Sequence, residues 1–482
     1  MPRSPSRKAA PSQPGYGRHD VLLPRILTFL ALLGEACTHT PPPEPLVAVA
    51  SAPQLPPDPP KSRIPNPDTC EPLIVQLPET PTVSAVDVPI PPIFGGDTLA
   101  PLYESLAKLM RGRATDHVRI GMYGDSNLVQ DYLTGYLRRQ LQARFGDAGH
   151  GYVAPGRPWT WDGHMDVVHG VDSRAWTLYA ISTHRVRGDA YGVSGIAAEA
   201  REPVGKAWVE TAPETSPIGR TASRFGVFYL KRPGAGRLEV RLDGNVVSTL
   251  DGEGEQLGVE VARFEFPDGH HRIELESLSK KRIRILGSYL ERSTPGVVVD
   301  CYGIGGVSYG SLVQDNVAVT QAMTRLRPND LIVFWLGTNL FELRTNRPWI
   351  KKIVAARREI QPELPILLMS PPDHVVRSDR ESTAPGRIEL AAGLEGVAAE
   401  NGCAYWDFWK AMGGNGSMAR FIRAKLGSGD LYHLTRAGSE YMASRLNYAL
   451  HLDYARWLQA HPRAGCDNPP SPSPPDDAHP NP

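Results

Sequence analysis

Residues 117–131 read HVRIGMYGDSNLVQD: an apolar run, an abrupt Gly124-Asp125-Ser126, then the start of a helical pattern. After Asn127, LVQDYLTGYLRRQLQARFG places Leu133, Leu137, Leu141 and Phe145 at steps of four, one apolar face of an amphipathic helix. The polar triplet therefore sits on a strand-to-helix turn. Open α/β sheets bind ligands beyond the carboxyl ends of their strands, where such a turn lies. A serine there exposes its hydroxyl and can offer its own N–H to an oxyanion, with a helix N-terminus behind it. The plainer reading is a helix cap, because Ser and Asp cap helices routinely.

Outward from this stretch, a helix near 98–111 precedes the strand, and the alternation resumes at about residue 296. Strand GVVVDCYGIGG, helix 311–326, strand LIVFWLG, helix 347–360, strand PILLMSPP, helix 386–401, strand AYWDFW and helix 436–450 follow in order. Near-continuous apolar strands separated by helices predict a parallel sheet covered on both faces. Residues 155–295 obey another rule. RFGVFYLKRP, GRLEVRLDGNVVSTL, VEVARFEFPDGHHRIELES and RIRILGSYLE are short β-like runs with Pro-Gly and Asp-Gly turns. They predict an all-β sandwich inserted between the first helix and the second strand of the parallel sheet.

The 482 residues are 41% hydrophobic and 22% charged, and 52 Lys plus Arg balance 52 Asp plus Glu. No global field favours nucleic acid or an anionic membrane. Residues 1–37 combine basic residues (Arg3, Arg7, Lys8, Arg18, Arg25), the short apolar run ILTFLALL and GEAC ending at Cys37, the layout of an export signal too short to span a bilayer. Cys37 stands where a bacterial lipoprotein carries its lipidated cysteine, although Gly34 and Glu35 depart from that pattern. The expectation is an exported chain of the cell envelope or periplasm, lipid-anchored through Cys37 or secreted. Residues 38–94 and 464–482 are crowded with proline and read as disordered linker and tail, leaving 95–154 with 296–463 as the α/β domain. Cys70 and Cys466 flank the folded part and could be joined in an oxidising compartment, whereas Cys301 and Cys403 read as buried thiols.

Three further places follow strands. Tyr302-Gly303-Ile304-Gly305-Gly306-Val307 is a glycine-rich turn that lets a backbone N–H approach a reacting centre. Thr338-Asn339 can direct an amide toward the crevice or cap a helix. Asp430-Leu431-Tyr432-His433 spaces a carboxylate and an imidazole so that one can orient the other, or forms a plain surface turn. Each is weak alone, but the roles are complementary.

GDSN, the GIGG turn, GTN and DLYH occur in the order of the four blocks of the SGNH (GDSL-type) hydrolases, and the chain resembles that family over about 95–154 and 296–455. The resemblance implies a three-layer α/β/α, flavodoxin-like domain with a parallel sheet. It implies Ser126 as nucleophile, His433 as general base and Asp430 as its orienting partner. The oxyanion hole would combine the N–H of Ser126, the N–H of Gly306 and the amide of Asn339. Gly305 stands in place of the usual Asn of the second block and is the alternative to Gly306. Asn127 replaces the Leu of the literal motif. The inserted β region resembles the layout of bacterial peptidoglycan or polysaccharide O-acetylesterases, in which a carbohydrate-binding-module-like sandwich interrupts the catalytic domain. An acetylated glycan is then the expected substrate. Lipid or aryl ester hydrolysis, glycan O-acetyl transfer and a non-catalytic glycan-binding role remain alternatives. Trp159, Trp161 and Trp176 could stack on sugars or belong to the core. His164, His169, His184, His270 and His271 show no spacing that demands a metal, and no cofactor is assigned.

Overall fold

In a computed structural model the chain is described over residues 70–183, 187–339 and 342–466. The leader with Cys37, the linker before residue 70, His184 and the tail from residue 467 lie outside the described residues.

The strand Val118–Gly124 is the second member of a five-stranded parallel sheet. Its neighbours are Val297–Gly303 on one side and Leu331–Trp335 on the other, followed outward by Ile366–Met369 and Ala404–Trp406. Every residue of Val118–Gly124 is buried, the pattern of a strand covered on both faces. Val118, Ile120 and Met122 pack into one core with Leu133, Leu137, Leu141 and Phe145 of the helix Tyr132–Phe145. Tyr123 points into the opposite core with Phe334, Leu368, Leu390 and Leu394. This is the expected helix–sheet–helix layering.

The inserted region forms two antiparallel sheets. One runs Gly258–Gly269, Ala222–Lys231, Arg284–Glu291, Ile196–Ala200, Trp176–Ala180; the other runs Val167–Val171, Lys206–Thr211, Arg272–Ser277, Arg237–Leu242, Asn245–Asp251. Phe225 and Val227 from the first share a core with Val209, Val240, Ile273 and Leu275 from the second. The alternate residues Phe228 and Leu230 face the other way and join the core around Tyr123 and Ile304. The first sheet is thus buried on both sides, which couples the insertion to the parallel-sheet domain.

Several boundaries differ from the sequence reading. The helix expected over 311–326 is two pieces, Tyr309–Leu312 and Val317–Leu326, with Asn316 capping the second. Asp315, between them, accepts the N–H of Tyr191 from the insertion at 3.1 Å, a tertiary contact that no local pattern announces. Residues 70–94 are not a free linker. Leu73, Val75, Val86 and Ile93 are buried in the core on one face of the parallel sheet, and Pro91 O accepts the Trp406 indole N–H at 3.0 Å. Scattered apolar side chains among prolines dock one by one, so composition alone misreads them. A Cys70–Cys466 disulfide closes this segment onto the C-terminus, where Ala464 is also buried, while Cys301 and Cys403 are buried free thiols.

Candidate active site

The serine turn is built by the sheet beneath it. At the end of Val297–Gly303 the Leu128–Val129 backbone crosses so closely that a Cβ on Gly303 would lie 2.7 Å from it. Only glycine lets the two strand ends meet there. Asp125 folds the turn: its Oδ1 accepts the N–H of Asn127 at 3.1 Å, its backbone carbonyl that of Leu128 at 2.9 Å, and its Oδ2 that of Thr338 at 3.1 Å. Burial pushes the Asp125 carboxyl up, opposed by the groups of Thr338 and Asn127 that favour its ionised form. The helix does not begin behind Ser126 as expected. It starts at Tyr132, after Asp131 in a left-handed conformation (φ 57°), so Ser126 is not its cap.

Ser126 Oγ lies 2.7 Å from His433 Nε2, and His433 Nδ1 lies 2.7 Å from Asp430 Oδ2. Asp430 Oδ1 accepts the N–H groups of Tyr432 (2.9 Å) and His433 (3.0 Å). Burial alone would raise this carboxyl, but the Tyr432 N–H and the His433 ring and N–H outweigh it and hold Asp430 below its ordinary range. Leu431, between the pair, is buried and held at φ 79°, a conformation costly for a branched side chain and common where a site fixes its geometry. Thr435 caps the long helix Arg436–Ala460 through Gly438 N–H, anchoring this loop on a rigid element.

Ser126, Asp430, His433, Gly305 and Gly306 line one cavity of about 660 Å³. Gly306 has φ 73°, the left-handed region that favours glycine. Asn339 is exposed, is not among the residues lining that cavity, and donates its Nδ2–H to Val307 O at 2.9 Å. That bond ties the amide to the turn after Gly306 and uses one of its two hydrogens.

Residues 276–441 match the family described as GDSL-like lipase/acylhydrolase. The chain carries a GDSL-like acylhydrolase domain. The match begins inside the strand Arg272–Ser277, so it takes in Gly306, Asn339, Asp430 and His433 and leaves Ser126 to the segment before the insertion. Among solved structures, a peptidoglycan O-acetylesterase "in action" is similar at 20% identity, over 77% of this chain and 98% of that chain, with a TM-score of 0.63. At that identity the likeness is one of fold. A family two carbohydrate esterase from Cellvibrio japonicus aligns at 12% identity over 61% of this chain and 98% of that chain, with a TM-score of 0.25 that supports no argument. No curated protein matches.

Around Ser126, His433 and Asp430 the structure adds residues that the motif reading passed over. Asn127 Oδ1 accepts the N–H of Leu434 at 3.0 Å, a strap from the serine turn to the histidine loop. A polar residue where the literal motif has leucine was the available signal. Arg387, almost fully buried, donates to Gly337 O and to Thr338 O (2.7 Å), fixing the loop that leads to Asn339. The three tryptophans separate: Trp176 is core, while Trp159 and Trp161 line the cavity that Ser126 and His433 share.

The histidines separate too. His164 lies with Asp131 and His150 in a group whose ligand-type atoms fall within 4.8 Å of one another, and the His164 ring meets that of His169 edge-on. Burial pushes the His164 imidazole down to about 4. Asp131 is already paired with the fully buried Arg138 at 2.9 Å, and that guanidinium opposes a cation here. His271 instead pairs with Asp243 at 2.8 Å on the insertion, and His270 lies 3.5 Å from Glu210 there.

Proposed function

We propose that this chain is a serine esterase that removes O-acetyl groups from a cell-wall or other polysaccharide. The observation that supports it is the unbroken relay from Asp430 Oδ2 through His433 to Ser126 Oγ, 2.7 Å at each step, opening on a wide cavity with two indoles in its wall. The Asp430 carboxylate can only accept, so it fixes the proton on His433 Nδ1 and leaves Nε2 to take the Ser126 proton. Oγ then attacks the acetyl carbonyl. The N–H groups of Ser126 and Gly306 and the Asn339 amide are assigned to the developing oxyanion, each donor being worth about 2.7–4 kcal/mol. The imidazolium returns its proton to the departing sugar oxygen. Water, deprotonated by His433, releases acetate and restores Ser126.

The fold likeness to a peptidoglycan O-acetylesterase supports a glycan substrate, as does a wall in which Gln130, Thr183 and Arg436 accompany the indoles. Acetate release from O-acetylated peptidoglycan, compared with acetylated xylan and longer-chain esters, tests this reading. Ser126→Ala should abolish release, and a preference for long-chain esters would overturn the polysaccharide assignment. We also infer export, with lipid attachment at Cys37. The basic leader before ILTFLALL supports it, and the Cys70–Cys466 disulfide suits an oxidising compartment. Loss of labelled palmitate incorporation in Cys37→Ala is the expected result, and its persistence would refute the anchor.

A further inference from the structure

Trp161 is 53% exposed, and its ring lies nearly parallel to that of Trp159, with planes 15° apart and centroids 6.2 Å apart. The turn that bears them is closed on itself. Asp162 N–H donates to Trp159 O at 3.1 Å, and Trp159 N–H donates to Asp162 Oδ2 at 3.3 Å. The same loop is pinned to the segment that follows Ser126. Gly163 N–H donates to Val129 O at 3.0 Å, and Met165 N–H donates to Asp131 Oδ2 at 2.8 Å. On its other side the Trp159 ring covers Gly305, where an added Cβ would meet it at 3.4 Å. The loop that carries the indoles is therefore fixed relative to both the nucleophile and the glycine turn, and the Trp161 ring rests on that of Trp159.

A scattered exposed tryptophan needs no explanation; one stacked on a second indole in the cavity that holds the nucleophile does. A large flat aromatic face removes apolar C–H surface from water, and a pyranose ring has one such face with hydroxyls around its edge. Gln130, Thr183 and Arg436 on the same cavity supply polar groups for those hydroxyls. An acyl chain offers no flat face and no rim of hydroxyls.

We propose that Trp161, backed by Trp159, is a pyranose-stacking subsite that holds a sugar ring of the glycan while Ser126 addresses its acetyl group. This rests on the polysaccharide esterase reading and names how the site grips its substrate. Trp161→Ala should raise KM for soluble O-acetylated peptidoglycan fragments about tenfold, with a smaller loss on p-nitrophenyl acetate. Trp161→Tyr should restore most of it. Equal losses on both substrates, an unmoved glycan KM, or a larger loss on an octanoyl ester would overturn the subsite. A second measurement separates this from failure of the esterase reading: calorimetric titration of Ser126→Ala with de-O-acetylated peptidoglycan fragments and with an N-acetylglucosamine tetrasaccharide. Saturable binding to either, weakened about tenfold in Ser126→Ala/Trp161→Ala, supports the subsite even if the wild-type chain releases no glycan acetate. No binding to either ligand overturns it.

Discussion

At the residue scale, the proposed relay has the carboxylate of Asp430 act only through the imidazole it touches. Asp430→Asn keeps the size of the side chain and removes its charge, allowing the amide to stabilise the wrong tautomer of His433. A fall in kcat of about three to four orders of magnitude is expected, with KM little changed, measured on p-nitrophenyl acetate. Because the Asp430 carboxyl is held below its ordinary range, it stays ionised where a free aspartate would begin to take up protons. The rate profile should then show no inflection from this carboxylate in the ordinary aspartate range. A second, carboxylate-like inflection in the wild-type profile would contradict this.

At the scale of elements, the serine turn and the histidine loop come from opposite ends of the domain and meet through Asn127 and the N–H of Leu434. Asn127→Ala leaves that buried N–H without its acceptor, a loss of about 1–3 kcal/mol, and lets the two loops drift. A ten- to hundredfold lower kcat is expected from single-turnover kinetics, with Asn127→Asp, which keeps an acceptor, recovering part of it. The parallel strands were legible in the sequence because burial on both faces writes near-continuous apolar runs such as VRIGMYG and LIVFW. The serine, glycine and asparagine blocks were legible because each follows such a run; the Asp430–His433 loop, expected after a strand as well, instead follows the helix Ser417–Arg423. What was not legible depends on distant partners: the break at Asp315, the docking of residues 70–94, and the late start of the helix after Asp131, whose carboxylate is spent on Arg138 and Met165. Asn127 was visible as a letter, but its role needs Leu434, 307 residues away.

At the scale of the whole molecule, the insertion is joined to the sheet by a buried ionic cluster. Glu291, at the end of the insertion's last strand, accepts from Arg119 (3.3 Å) and Arg327 (2.8 Å), and Arg327 also holds Asp300. Burial would raise the Glu291 carboxyl, but Arg327 and Arg119 outweigh it and bring it to about 2. A carboxyl depressed on folding adds stability above its unfolded value near 4.5, and that stability is lost as pH falls toward 2. Glu291→Gln should destabilise the chain at pH 7 by about 3 kcal/mol, because Arg327 and Arg119 each lose one of their two carboxylate partners and keep only Asp300 and Asp116, and should flatten the acid slope in denaturant titrations. Reduction of Cys70–Cys466, which spans 396 residues, should cost about 2–5 kcal/mol, read as a lower thermal midpoint matched by Cys466→Ser.

The insertion also leaves and returns at one place: Gly151–Val153 pairs antiparallel with Ser288–Leu290. To the parallel sheet, everything between is the tip of a hairpin, and the two strands form a socket that carries the inserted module. The loop with Trp159 and Trp161 lies on the module's side of that socket. Any exchange of the sandwich, by evolution or by design, would therefore take the two indoles of the Ser126 cavity with it in one step.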